Sequence, residues 1–429
     1  MVFINVSDVV RKMDEVAVKK VLYLSYDGMT DPLGQSQVLP YLTGLSKRGY
    51  QFTLISFEKE ERFDKNKSVI EKICSDNKIN WHPLPYTSKP PILSTIKDLR
   101  KLKNEIKKLH REFHFDIVHC RSYITALAGL WMKKKWGVKF VFDMRGFWAD
   151  ERVDGNIWKL SNPIFKLVYT FFKKKERVFL SKADYTISLT NNAEKVIHSW
   201  KEIENQPIPI KVIPCCVDMD LFNPYQITGE SVQKLRNKLT IPDGAKVITY
   251  IGSIGTWYML PEMLAFFKRW LLKNPASVFL FVTNDSSAII NDAANKAGMP
   301  LSAIRIQSAA RSEVPLYISI GDYSIFFIKP VFSKKASSPT KQGEIMAMGK
   351  PVICNSEVGD TDYVVNSFNS GILINEFEDT AYDNAIDELN NGKQFDASVI
   401  REGALQFFSL QEGINRYQEV YKSVLGENG

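Results

Sequence analysis

No run of about eighteen apolar residues occurs anywhere in this chain of 429, so nothing in it reads as a membrane-spanning helix. Its five cysteines (Cys74, Cys120, Cys215, Cys216 and Cys354) form no CxxC pair. An odd count without metal-ligand spacing argues against a disulfide scaffold and points to reduced thiols in a cytoplasmic setting. No GxGxxG follows either opening strand, which weighs against a dinucleotide-binding dehydrogenase. Internal repeats and low-complexity tracts are absent. The opening residues, MVFINVSDVVRKMDEVAVKK, mix acids with apolar positions and lack the apolar core of a signal peptide. Residues 1–17 therefore read as a loosely attached leader. Acid is scarce in the first half: residues 1–224 hold 37 Lys and Arg against 26 Asp and Glu, and the remainder 19 against 22. That asymmetry predicts an anionic partner for the first half.

What is present is an alternation. VLYLSY (21–26), FTLISF (52–57), DIVHC (116–120), KFVFDM (139–144) and YTISLT (185–190) read as buried strands. Helical stretches at about 36–47, 92–112 and 124–135 separate them. The pattern restarts with VITYIGS (247–253), VFLFVTN (278–284), IRIQS (304–308), YSIFFI (323–328), PVICN (351–355) and GILIN (371–375). Strands alternating with helices predict α/β architecture: two doubly wound parallel-sheet domains facing a cleft at the strand carboxyl ends. With 45% hydrophobic residues the chain can fill both cores.

Ser337-Ser338-Pro339-Thr340-Lys341-Gln342-Gly343-Glu344 precedes Ile345-Met346-Ala347-Met348-Gly349 and an apolar run. It predicts a helix opening under a serine cap with proline in its first turn and closing at glycine. A helix N-terminus suits an anionic phosphate, and Lys341 adds a full charge. Glu344 shares a face with Thr340 and Lys341, so a cation for phosphate and a carboxylate for two hydroxyls stand together. A surface Lys341–Glu344 pair on an ordinary helix is the other reading.

The string PTKQGEIMAMGKPVI resembles the donor-binding segment of retaining GT-B-type glycosyltransferases of family four, the group 1 glycosyltransferases. The resemblance runs from about Val21 to the final helix and implies a GT-B fold of two Rossmann-like domains. It implies that Glu344 holds a donor ribose and that Pro339, Thr340 and Lys341 face a diphosphate. Ala336 stands where many relatives carry the first acid of an E-x7-E pattern. Gly252 and Ser253 match a donor-side loop in which relatives place an arginine, so the phosphate charge falls to Lys341, backbone amides and Arg311 or Lys335. Gly34 and Gln35 match a glycine-containing loop near the donor; a turn needing glycine for its own geometry is the alternative. His119, at the end of DIVHC where the strand would reach the cleft, matches a histidine near the transferred sugar, with a satisfied core histidine as the alternative. It and Glu344, with Arg145 for an anionic acceptor or donor group, are the candidate catalytic residues. Asp143, Arg145 and Asp150, in the charged loop after KFVFDM, are candidates for the acceptor, with a loop ion-pair network as the alternative. Trp257 and Tyr258 suit base stacking or core packing.

Two DxD strings, Asp218-Met219-Asp220 and Asp360-Thr361-Asp362, carry no further metal spacing, and neither a metal nor another cofactor is expected; the second string could touch the donor sugar. Trp158–Lys182 holds seven basic residues and one acid among Trp, Phe and Leu, which predicts either a contact with anionic membrane or a core-packed helix with a solvated lysine face. No nucleic-acid motif accompanies it. The domain reading is a leader at 1–17, an acceptor domain at 18–215, a linker at 216–230, a donor domain at 231–400 and a C-terminal helix at 401–429. The resemblance has that helix cross back to the first domain. The function implied is metal-independent retaining transfer of a sugar from a nucleoside-diphosphate donor to a glycan or lipid-linked acceptor, in cell-surface polysaccharide synthesis at the inner membrane face. A non-catalytic scaffold subunit and a sugar-nucleotide epimerase are the alternatives.

Overall fold

The eleven apolar runs become parallel strands in the computed structural model, which describes residues 18–427; the proposed leader at 1–17 lies outside them. The first sheet contains β1 (Lys19–Ser25), β2 (Tyr50–Glu58), β3 (Asn80–Pro85), β4 (Ile117–Arg121), β5 (Lys139–Asp143), β6 (Tyr185–Ser188) and β7 (Ile210–Val212). Their order is β3-β2-β1-β4-β5-β6-β7, every pairing parallel. The second sheet contains β8 (Val247–Ile251), β9 (Val278–Val282), β10 (Ile304–Gln307), β11 (Tyr323–Phe326), β12 (Val352–Asn355) and β13 (Gly371–Ile374), ordered β10-β9-β8-β11-β12-β13. Strand order reverses between β1 and β4 and again between β8 and β11. Each reversal opens a crevice at the strand carboxyl ends, where such sheets take ligands.

Two strands escape the sequence pattern. β3 contains Pro83 and Pro85 and lies at a sheet edge, where a missing N–H breaks no ladder. β7 has three residues at the opposite edge. The single helix expected at 36–47 is two, Pro32–Gln37 and Leu39–Ser46, because Val38 leaves helical geometry at φ −129° and Pro40 restarts the turn.

Both faces of the first sheet are covered. One core gathers Leu102, Ile106, Tyr123 and Phe179 from three helices. The other includes Ile414, Tyr417, Val420 and Tyr421 from the last helix, Leu410–Leu425, packed beside Tyr41 and Leu42 of the first domain. The stretch 216–230 is anchored: Val217 and Phe222 join the second domain's core, and the Arg401 guanidinium donates to the carbonyls of Met219 and Phe222. Among the described residues no helix is long and apolar enough to cross a membrane.

Candidate active site

At the end of β8 the chain turns through Gly252, whose φ of +99° disfavours any side chain. A Cβ there would stand 3.7 Å from the Lys341 Nζ. Lys341 comes from the first turn of the helix Thr340–Ala347. Its ammonium is buried, has no hydrogen-bond partner, and lies 3.4 Å and 4.0 Å from the ring centres of Tyr258 and Tyr250. Aromatic faces attract a cation without satisfying its N–H groups. Burial drives the Lys341 pKa well below its ordinary value. One turn on, the Glu344 carboxylate is 2.5 Å from Arg311, whose guanidinium also lies over Phe222. Burial raises the Glu344 pKa, against the pull of Arg311.

The helix does not open under a serine cap. Pro339 is its N-cap residue, and the Ser338 hydroxyl instead accepts the Cys215 N–H at 3.0 Å, tying the helix start to the first domain's exit. Pro339 and Thr340 begin the helix beside Lys341. The Ser253 hydroxyl donates to Asp285, which also accepts the Ile254 N–H. Asp285 follows the run VFLFVTN directly, and a carboxylate at a strand's carboxyl end was the available clue. Trp257 is not free to stack on a base, because its ring lies under Lys334 and against Gly155.

In the first domain β4 continues to Arg121, two residues beyond His119, so His119 sits mid-strand and wholly buried rather than at the cleft. Its Nδ1 is 2.8 Å from the Tyr421 hydroxyl and its Nε2 is 3.5 Å from Asp143, while Tyr23 and Tyr417 flank the ring. Burial lowers its pKa, which favours neutral imidazole. As placed, it orients neighbours and touches no open space. Asp143 is equally buried and also accepts the Tyr417 hydroxyl at 3.3 Å. Its burial would raise the carboxyl pKa, but Arg145 foremost, then His119 and Arg121, hold it below the ordinary value. Arg145, in left-handed backbone at φ +56°, donates to Cys215 Sγ at 3.3 Å.

The structure thus joins Gly252, Lys341 and Glu344 in one group, and His119, Asp143 and Arg145 in another. Asp150 belongs to neither: Tyr169 and Lys173 occupy its carboxylate, the loop ion-pair alternative. Gly34 serves the loop itself, since a Cβ would overlap the Gly28 carbonyl, and the Gln35 amide donates to the Thr30 carbonyl at 3.2 Å. Glu58, at the end of β2, accepts the Met29 and Thr30 N–H groups and holds that loop. Neither DxD string has free carboxylates throughout. Asp218 accepts the Asp220 and Leu221 N–H groups, and Asp360 accepts from Asn191 and Asn192 across the domain boundary.

Comparison with known proteins agrees with this architecture. Residues 36–221 match the family model described as Glycosyltransferase Family 4. The chain is 24% identical over 404 residues, 90% of it and 95% of the relative, to an Escherichia coli UDP-Gal:alpha-D-GlcNAc-diphosphoundecaprenol alpha-1,3-galactosyltransferase. Among solved structures, a glycosyltransferase from Rickettsia africae superimposes with a TM-score of 0.69 at 19% identity, covering 96% of this chain and all of that one. HepE of Anabaena, in complex with UDP-glucose, gives 0.65 at 14% identity over 94% of this chain and 99% of its own. The two-sheet fold is the GT-B architecture.

Proposed function

From the premise that the chain belongs with the group 1 glycosyltransferases of family four, we propose that it transfers a sugar from a nucleoside-diphosphate donor to a lipid-linked or glycan acceptor, retaining the anomeric configuration. The observation that carries the donor half is Lys341: a buried, unpartnered ammonium at a helix start, beside a glycine turn and one helical turn from Glu344. A diphosphate supplies the charge and acceptors that the ammonium lacks. Glu344 then takes the ribose hydroxyls, once Arg311 gives way or turns to the phosphates. The names of the relatives agree with this reading, since the E. coli enzyme acts on a diphosphate-linked acceptor with a UDP-sugar and forms an alpha linkage.

In a front-face displacement the bond from the anomeric carbon to the leaving phosphate oxygen breaks. The acceptor oxygen bonds to that carbon on the same face, and its proton passes to the diphosphate. No metal is assigned a role, and the protein's part is to orient both substrates and to stabilise charge on the departing diphosphate. Acceptors presented at the inner membrane face would place the enzyme in cell-surface polysaccharide synthesis.

The test is direct. One of UDP, GDP, CDP and ADP should raise the melting temperature, and Lys341→Ala should weaken that nucleotide by about ten- to a hundredfold, the usual worth of a hydrogen bond to a charged group. Unchanged affinity in the variant would remove the donor assignment. Donor consumption that needs acceptor separates transfer from epimerisation, and no donor consumption at all leaves the scaffold reading standing.

A further inference from the structure

Arg121 ends β4 and Arg145 follows β5, the neighbouring strand, so the carboxyl edge of the first sheet brings two guanidinium groups together. Arg121 is 2% exposed, and the Arg145 side chain 10%. Buried guanidinium groups normally meet carboxylates through paired hydrogen bonds. These do not. Asp143 lies between them at 4.0 Å from each Nη1, a distance that leaves attraction but no hydrogen bond. Its Oδ2 is engaged by Tyr417 and stands near His119. Arg121 Nε and Nη1 and Arg145 Nη1 are buried without a hydrogen-bond partner. The other nearby acid, Asp27, is 3.5 Å from Arg121 Nε and half exposed on the loop after β1, free to turn away.

Two buried positive charges therefore face one buried negative charge, and neutral His119 adds none. Leaving cations short of acceptors inside a protein is unfavourable unless a ligand supplies them. The surroundings point the same way. Arg145 reaches Cys215, whose N–H meets Ser338, and Gly146 faces the Ala336 carbonyl at 3.5 Å from where its Cβ would be. The pair thus lies on the first-domain wall opposite the approach to the Lys341 helix.

We propose that Arg121 and Arg145 form a second anion site, separate from the donor site at Lys341, that takes a phosphate group of the acceptor. Planar guanidinium forks match phosphate oxygens in pairs, and Asp143 would hold the two forks apart in register. The assignment to the acceptor rests on the transfer reading above; the existence of the anion site does not.

Inorganic pyrophosphate titrated calorimetrically into the whole protein tests the site. Two binding events are expected in the wild type, with Lys341→Ala keeping one of them. Arg121→Gln and Arg145→Gln should each weaken that remaining event at least tenfold. Arg121→Lys and Arg145→Lys keep the charge and should recover part of the affinity, which covers the case in which a glutamine variant fails to fold. A single event lost in Lys341→Ala, or affinity unchanged in every arginine variant, would overturn the site. With a diphosphate-linked acceptor in hand, the arginine variants should raise its KM and leave nucleotide affinity alone. The reverse pattern would give these arginines to the donor's phosphates and overturn the acceptor assignment.

Discussion

Lys341 is costly to the empty protein. Its ammonium is desolvated, lies over two tyrosine rings and donates to nothing, the arrangement that depresses a lysine pKa most. Between the folded pKa and the ordinary lysine value near 10.5, the unfolded chain holds a proton that the folded chain has lost. Stability therefore rises with pH through that window, and below it the buried charge is carried in full. Lys341→Met keeps the stem's volume and removes the charge. It should raise the stability of the ligand-free protein by about 1–3 kcal/mol at neutral pH, flatten the pH dependence and reduce nucleotide stabilisation in line with the weaker binding. Chemical denaturation with and without nucleotide reads both effects, and a destabilised variant would contradict this account of the site. Lys341 and Glu344 were legible because three-residue spacing puts them on one helical face. For Asp150 the sequence left acceptor contact and ion pairing open, because nothing in the local string tells of Tyr169 and Lys173, which reach its carboxylate from a later helix.

Among the elements, the helix Pro163–Lys182 stands out for what it leaves uncovered. Phe172, Phe179 and Leu180 face the core. Ile164 and Leu167 are 59% and 71% exposed, and Phe171, with Ile157 and Leu160 just before the helix, is exposed too. Positions 164, 167 and 171 follow helical spacing with Lys166 among them, as on a helix lying on an anionic lipid surface, and 157 and 160 add apolar side chains on the turn before it. The core-packed alternative holds for the inner face and not for this one. The wild type should co-float with vesicles rich in anionic lipid at low salt, and Ile164→Glu with Leu167→Glu should abolish this. Both sites are exposed, so the melting temperature should hardly move. Flotation unaffected by the double change would remove the membrane contact. The composition of Trp158–Lys182 raised the possibility, but only packing decided which apolar residues are spent on the core.

At the scale of the whole molecule, the two sheets are held by contacts that reach far along the chain. Asp360 accepts the Asn191 N–H, the Asn191 amide and the Asn192 N–H, so a second-domain carboxylate caps a first-domain helix. Lys334 pairs with Glu151 at 2.9 Å, and the Ser333 N–H meets Asp154. Phe332 stacks on Phe147. These contacts join the two domains near the start of the Lys341 helix, where Thr361, next to Asp360, donates to the Gln342 side chain. Asp360→Ala would leave three donors without their acceptor and should loosen the junction, seen as a larger radius of gyration by small-angle scattering. Nucleotide affinity should stay unchanged, because Lys341 and Glu344 belong to the second domain alone. An unaltered scattering profile would mean that the remaining contacts suffice.

The sequence by itself determined the two parallel sheets, the restart of the pattern near Val247 and the Lys341–Glu344 helix. Apolar runs, glycine turns and helical spacing are local signals that a single string carries. Only the tertiary structure decided that His119 is sealed by Tyr417 and Tyr421, some three hundred residues away, that Asp360 serves as a cap, and that Arg121 and Arg145 share one carboxylate. Burial and charge pairing depend on which distant elements pack together. A charged residue can look the same in sequence whether packing leaves it partnered or bare.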